Sequence, residues 1–409
     1  MTTMKRKFPV LLLLVFFSAA TAMAQDKQGI PVYEIARPDY DALGIRAGAF
    51  LIKPVLSLGM EHNDNIYATK DDKESDWITT LAPKIDIRSD WTRHSLGINV
   101  GLKSGFYSSE SDENFLDGHI KLDGRLELLR ESFLTGQAGF QYLHEARDEP
   151  DSNQAWSEPA TYYRSDGKIA YYHGLGKLSA SVGAGITRLD YRSVDLKAGG
   201  SENLDIRDYN TYDVNARFAY EMHPVVRPLI YTQYQWRRYD KSEAERDSDG
   251  YRIALGTGFD LTGLISGEIF AGYMQQNYDQ RDNFSGPWYG MSLLWNVTGM
   301  TSVEGTVRKS IKETTEGNSS GIDALDTGLR VDHELLPNLL VGAFFDYTQD
   351  SYQDIDISDK YYNFGPRLTY LWNRNLSAEI KFTSNTCVSN LEDREYTENK
   401  FLFSLTGKL

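Results

Sequence analysis

Residues 48–60 read GAFLIKPVLSLGM. Phe50, Ile52, Leu56, Leu58 and Met60 share one parity, with Pro54 among them, while Leu51, Lys53, Val55, Ser57 and Gly59 fall on the other. Side chains alternate across a strand, so this stretch predicts a strand with one apolar face and one mixed face. In a soluble sheet the mixed face meets water and the apolar face needs a core. Here the same pattern recurs to the last residue of the chain. Soluble sandwiches alternate in the same way, but there short and long connections need not take turns.

The recurrence is clear in Leu96-Ile98-Val100-Leu102, Ile120-Leu122-Gly124-Leu126, Leu178-Ala180-Val182-Ala184-Ile186 and Tyr212-Val214-Ala216-Phe218-Tyr220. It returns in Ile253-Leu255-Thr257-Phe259-Leu261, Leu339-Val341-Ala343-Phe345-Tyr347 and Tyr362-Phe364-Pro366-Leu368-Tyr370-Trp372. About 18 such segments follow one another, an even number, as closed bacterial barrels require. Short connections near 89–92, 129–131, 173–176, 221–225, 262–264, 298–300, 335–337 and 373–374 take turns with longer ones near 61–76, 107–114, 145–159, 190–208, 239–249, 278–285, 312–320, 350–360 and 385–395. That alternation predicts an all-β chain: a single transmembrane antiparallel up-and-down β-barrel with both termini periplasmic and the long loops outside. The apolar parity then meets lipid, and the mixed parity meets a wet lumen. Pro54 falls on the lipid parity of the first strand, so the seam with the last strand is where closure is most exposed to a missing donor.

The N-terminus predicts export. Lys5, Arg6 and Lys7 precede the apolar FPVLLLLVFFSAATA, and Ala22-Met23-Ala24 offers a cleavage site, so 1–24 reads as a signal peptide. Residues 25–47 read as a periplasmic N-terminal extension and 48–409 as the barrel. Loss of the three basic residues takes the formal net charge from −15 to −18, which with export argues against nucleic acid as a partner. No other apolar run is long enough for a helical span, and Cys387, placed in the last long loop, has no partner for a disulfide. Trp77, Trp91, Trp236, Trp288, Trp295 and Trp372 lie near expected strand ends, where interfacial girdles sit. The final strand, Phe401-Phe403-Leu405-Gly407-Leu409, alternates to the carboxyl terminus, with Leu409 where such barrels usually end in Phe. The expected surroundings are outer-membrane lipid and lipopolysaccharide, with the barrel-assembly machinery as the inserting partner.

Charges sort by position. The long loops are acidic, as in Asp71, Asp72, Glu74 and Asp76, or Asp148, Glu149, Asp151 and Glu158; they read either as solvated loops or as holders of bridging divalent cations. The inward parity is richer in bases, including Lys53, Lys84, Lys103 and Lys121, than in acids. Its arginines, Arg93, Arg125, Arg164, Arg217, Arg227, Arg237, Arg252, Arg308, Arg330 and Arg367, are the candidate contacts for an anionic or sugar-like solute. Cross-strand Arg/Asp pairs that simply fill a polar lumen are the competing reading.

The stretch RPDYDALGIRAGAFLIKPVLSLGMEHNDNIYAT (37–69) and the following SDWITTLAPKIDIRSDWTRHSL (75–96) resemble the opening signature of the outer-membrane β-barrel porin family, type 2. Arg37, Pro38, Tyr40, Gly44, Ile45, Arg46, Gly48 and Phe50 match it, as do Asp64, Asn65, Ala68, Thr69, Pro83, Ser89, Trp91 and His94. The resemblance implies an outer-membrane channel associated with exopolysaccharide production, with polysaccharide synthesis or export components as partners. It carries no site residues across.

Catalysis finds little support. His94-Ser95 and Asp332-His333 are sequence neighbours and point to opposite faces; Asp117 and His119 share a face without a nucleophile. No cofactor motif is present, and EHNDN (61–65) reads as the capped start of a loop rather than a complete Ca²⁺ site. Three functions stay open: a passive conduit in polysaccharide export, a general or solute-specific porin, and a closed structural barrel. No contiguous loop reads as a plug, although the extension is a candidate for that role or for docking a partner.

Overall fold

The computed structural model describes residues 29–149, 151–241 and 245–409. The expected signal peptide and the first residues of the extension lie outside the described residues. From Phe50 onward the alternating segments form eighteen long strands: β1 (Phe50–Asn63), β2 (Asp76–Ser89), β3 (Ser95–Tyr107), β4 (Phe115–Leu129), β5 (Ser132–His144) and β6 (Thr161–Leu175), then β7 (Leu178–Tyr191), β8 (Tyr209–Tyr220), β9 (Val226–Tyr239), β10 (Ser248–Leu261), β11 (Ile265–Tyr278) and β12 (Phe284–Thr298). The last six are β13 (Thr301–Lys312), β14 (Ile322–Leu336), β15 (Leu339–Tyr352), β16 (Ser358–Asn373), β17 (Leu376–Ser389) and β18 (Tyr396–Lys408). Each pairs antiparallel with the next, and β1 pairs with β18 from Val55↔Lys408 to Asn63↔Lys400, which closes the sheet. Closure leaves no edge of unpaired amides, the condition for crossing hydrocarbon with strands.

The apolar parity faces out. Leu56, Leu58 and Met60 are about half exposed, and the rung Leu58–Leu81, Leu58–Leu405 places three leucines side by side on the outer wall. At one end the hairpins are as tight as 130–131 and 176–177, where Glu131 and Gly176 take left-handed backbone (φ 65° and 64°) that suits a two-residue turn. At the other end the connections reach the span 192–208.

The seam tolerates Pro54 for a geometric reason. A residue's N–H and C=O point to the same neighbouring strand. The Pro54 carbonyl accepts from the Leu409 N–H at 3.2 Å, so the donor that proline lacks would face the chain terminus, one rung past the last register pair with β18. No bond inside the seam is lost.

Three placements correct the expectations. Arg93, expected on the lumen wall, lies in the turn between β2 and β3, outside any strand, with its side chain 62 % exposed. Cys387 is not in a loop: it lies in β17, faces inward at 2 % exposure and packs with Tyr361 and Tyr396. Strands of 14 residues are longer than the 9–11 a tilted span requires, and the surplus has polar residues on both faces, which hid the end of β17. Trp288 is not a girdle residue. It sits inside the barrel at 8 % exposure, 4.8 Å from Phe270 and 5.3 Å from Tyr231 between ring centres. Trp77, Trp91, Trp295 and Trp372 do reach the surface.

Candidate functional site

The interior has a basic wall. Lys53 of β1, Lys84 of β2, Lys103 of β3, and Lys121 and Arg125 of β4 share the inward parity of adjacent strands and are exposed. None of the five forms an ion pair among the described residues, because the nearby acids are engaged elsewhere. Asp86 and Asp123 hold Arg88 at 3.1 and 2.8 Å, Glu127 lies 3.8 Å from Arg93, and Asp117 meets His144 at 2.8 Å. Register gives Lys84 and Lys121 no acid to face: Lys84 stands across from Val55 and Gly101, and Lys121 across from Asn99 and Gly139. Lys53 and Lys103 do stand across from Asp86 and Asp117, but those carboxylates are taken by Arg88 and His144. Lys103 and Arg125 lie over the rings of Phe115 and Phe133, at 5.3 and 3.8 Å from their centres. Lys84, Lys103, Asp117 and His119 border a cavity of about 230 Å³.

The arginines beyond β4 are mostly engaged. Arg217 meets Glu268 at 2.6 Å, Arg367 meets Asp332 at 2.7 Å, Arg164 is 4.0 Å from Asp166, and Arg237 pairs with Glu313. Arg252 lies 6.0 Å from the Trp288 ring centre, and Arg308 stands across from Asp326. Arg227, beside Gly258, and Arg330 form neither hydrogen bonds nor ion pairs among the described residues. The unpaired charge is therefore largely lysine, concentrated on β1–β4. Choosing candidates by residue type favoured arginine; the free bases are set by which acids are already engaged, as Asp86 is by Arg88 and Asp117 by His144.

The long-loop end is capped. The loop 145–160 leaves β5 and reaches the β13–β14 loop, eight strands around the ring, where Asp151 accepts from the Thr314 hydroxyl at 3.2 Å and the Thr315 N–H at 3.1 Å. Asn385 of β17 donates to Asp148 at 3.3 Å. Within the cap, Glu113 takes both arms of Arg147 at 2.8 and 2.5 Å, and Arg207 meets Glu145 at 2.8 Å and Asp151 at 3.9 Å. Trp156, Ala160, Val194 and Leu204 form a small apolar core that joins the loop to 192–208. Sequence alone left open whether the acidic loops are solvated or hold something; here Glu145, Asp148 and Asp151 are cross-links within the cap, while Glu158 stays exposed. Burial pushes the Glu145 and Glu149 carboxyls up, with Glu145 itself raising Glu149 further. Burial likewise lifts Asp208 to about 6, against the Tyr191 N–H that it accepts.

The extension crosses the short-turn mouth. Val32, 1 % exposed, donates its N–H to Ser302 Oγ of β13 at 2.9 Å, and Tyr33 lies 4.0 Å from the Arg367 guanidinium. Arg37 donates to the Val32 and Ile35 carbonyls and to Glu334 of β14 at 2.7 Å. The chain returns through a three-residue strand, Ile45–Ala47, paired with the start of β1, and Arg46 meets Asp90 at 2.5 Å.

The opening signature thus turns out to be structural. Gly44 and Gly48 take φ of 73° and 60°, and Phe50 packs edge-on to Trp91. Asn65, fully buried, donates to the Thr69 and Thr397 carbonyls and accepts from the Thr69 N–H, which is the capped loop start read from EHNDN. His94 accepts from the Glu127 N–H at 3.1 Å, and His333 bonds Thr301 at 2.9 Å.

The family described as "Putative beta-barrel porin 2" matches residues 37–409. Among solved structures, the chain is similar to Pseudomonas aeruginosa OpdL (13% identity, TM-score 0.44, 89% of this chain and 100% of that one) and to OccK3 (OpdO) of the same organism (14%, 0.44, 88% and 96%). A mutant of the ferric enterobactin receptor PfeA, also from Pseudomonas aeruginosa, aligns at 8% identity and TM-score 0.46 over 88% of this chain and 80% of that one. No curated protein matches.

Proposed function

This chain belongs to the beta-barrel porin 2 family, and on that premise we propose that it is a passive outer-membrane channel that prefers anionic, sugar-like solutes. The observation that carries the preference is the wall of unpaired Lys53, Lys84, Lys103, Lys121 and Arg125 in a protein whose net charge is −15. A lumen lined on one side by uncompensated cations raises the local concentration of anions and lowers their barrier to passage. The short-turn end and both termini face the periplasm in this reading, and the capped end faces out. Lipid and lipopolysaccharide surround the barrel, and the barrel-assembly machinery inserts it.

The test is the reversal potential of the reconstituted protein across a salt gradient. Anion preference is expected, and replacing Lys84, Lys103 and Lys121 together by Gln shifts the potential toward cations. A cation-selective wild type, or a triple variant that behaves like it, sinks the reading; absence of any current leaves only a structural barrel. Service in exopolysaccharide export is the narrower form of this function. It draws support from the family resemblance and from bases seated over Phe115 and Phe133. Deleting the gene must then lower secreted polysaccharide, and an unchanged yield removes that role.

A further inference from the structure

We infer that the inward face of β14–β17 carries a subsite for a sugar acid, a sugar ring bearing a carboxylate. The inference rests on the channel reading above and names where such a solute pauses. Arg330 of β14, Phe344 and Asp346 of β15, Asn363 and Arg367 of β16, and Lys381 of β17 line one cavity of about 230 Å³ on the far side of the lumen from β4. Register sets Arg330 directly across from Phe344, and Asp346 across from Asn363.

The lining divides into fixed and free groups. Arg367 is fixed, held by Asp332 at 2.7 Å with Tyr33 of the extension against its guanidinium. The Lys381 ammonium sits 4.7 Å from the centre of the half-buried Phe344 ring and makes no ion pair among the described residues. Arg330 is exposed, with neither hydrogen bond nor ion pair there. Asn363 Oδ1 is a buried acceptor without a partner. The cavity thus offers a forked donor, a second cation, an orphan acceptor, a carboxylate on Asp346 and an apolar ring.

That combination selects a ligand class. A carboxylate takes the paired donors of Arg330, with Lys381 beside it. Hydroxyls donate to Asp346 and Asn363 Oδ1, and the C–H face of a sugar ring covers Phe344. A neutral sugar leaves Arg330 unmatched. A small anion leaves the acceptors and the ring unused, and a dianion such as phosphate is opposed by Asp346 and Glu379, both of which border the cavity. The β1–β4 wall, by contrast, is dominated by bases and attracts anions without sorting them.

Calorimetric titration of the purified full-length protein in detergent tests the subsite, with sodium glucuronate as the probe and glucose and acetate as comparators. Glucuronate is expected to bind more tightly than either. Arg330→Gln and Phe344→Ala each weaken it by about tenfold, the loss of one charge-assisted bond or one ring contact. Arg330→Lys, which keeps the charge and loses the fork, weakens it less than Gln. Migration on unboiled gels confirms that each variant is a folded barrel. Glucuronate bound no more tightly than acetate, or with wild-type affinity by Arg330→Gln and Phe344→Ala, overturns the subsite. Binding retained by a protein that passes no ionic current upholds the subsite and overturns the channel reading instead.

Discussion

Arg37 concentrates the attachment of the extension in one side chain. Its guanidinium satisfies two carbonyls of its own segment and one carboxylate of β14, while Asp41 accepts its backbone N–H. A charge-assisted bond to a mostly buried partner contributes about 1.5–3 kcal/mol, which corresponds to roughly ten- to hundredfold in local opening. Arg37→Ala is therefore expected to speed chymotryptic cleavage at Tyr33 and Tyr40 by about that factor while the barrel keeps its gel mobility; unchanged cleavage would show that Val32 and Tyr33 suffice to hold the segment. The position was visible in the sequence as part of a family-like motif, but its task was not, because Glu334 lies almost 300 residues away. Pro54 shows the reverse. Its parity and missing donor were legible, and only the register with Leu409 showed that the lost bond falls outside the seam.

The loop 145–160 is the element whose behaviour depends on solution conditions. Asp208, at the end of the neighbouring loop, has a carboxyl raised to about 6 by burial, with Asp190 adding to the shift and Arg188 opposing it. Glu145 and Glu149 are raised too, among Asp148, Asp151 and Arg207. A raised carboxylate pKa means that the packed cap binds protons the released loop does not. Cap stability therefore falls as pH rises from the ordinary carboxylate range through about 6, and levels off above it for Asp208. Conductance is expected to be lower at about pH 5 than at about pH 7.5, and Asp208→Asn flattens part of that response. Conductance that rises on acidification contradicts the sign. A second handle is mechanical: Asp151→Asn weakens the contact with Thr314 and Thr315 and is expected to raise conductance at neutral pH, with an unchanged trace showing that the cap is held elsewhere. Strand alternation says nothing about loops, so neither their length nor their acidity distinguished a folded cap from a solvated fringe. Trp156, the one tryptophan outside the expected girdles, was the available hint.

At the scale of the whole molecule, the outer wall is what commits the chain to a membrane. Leu58 stands in a rung with Leu81 and Leu405 that spans the closing seam. An arginine on the lipid face near the bilayer middle costs about 2–4 kcal/mol, so Leu58→Arg is expected to lower folding stability in lipid vesicles by that amount, measured by urea titration of the folded fraction; the same change at inward-facing Ser57 is expected to be far milder. Equal effects at the two positions would mean that the faces are misassigned. The strand count, the short and long connections and the inward or outward sense of nearly every strand residue were determined by the sequence alone, since a period of two in a medium with two solvents leaves one arrangement of faces. The tertiary structure decided what occupies the lumen. Whether Arg88 reaches Asp123 two strands away, whether Glu334 holds Arg37, and whether Asp151 reaches Thr314 depend on cross-strand register and on chain segments far apart in sequence. Those contacts arise only once the sheet has closed, because closure is what brings the far wall within reach of a loop or an extension.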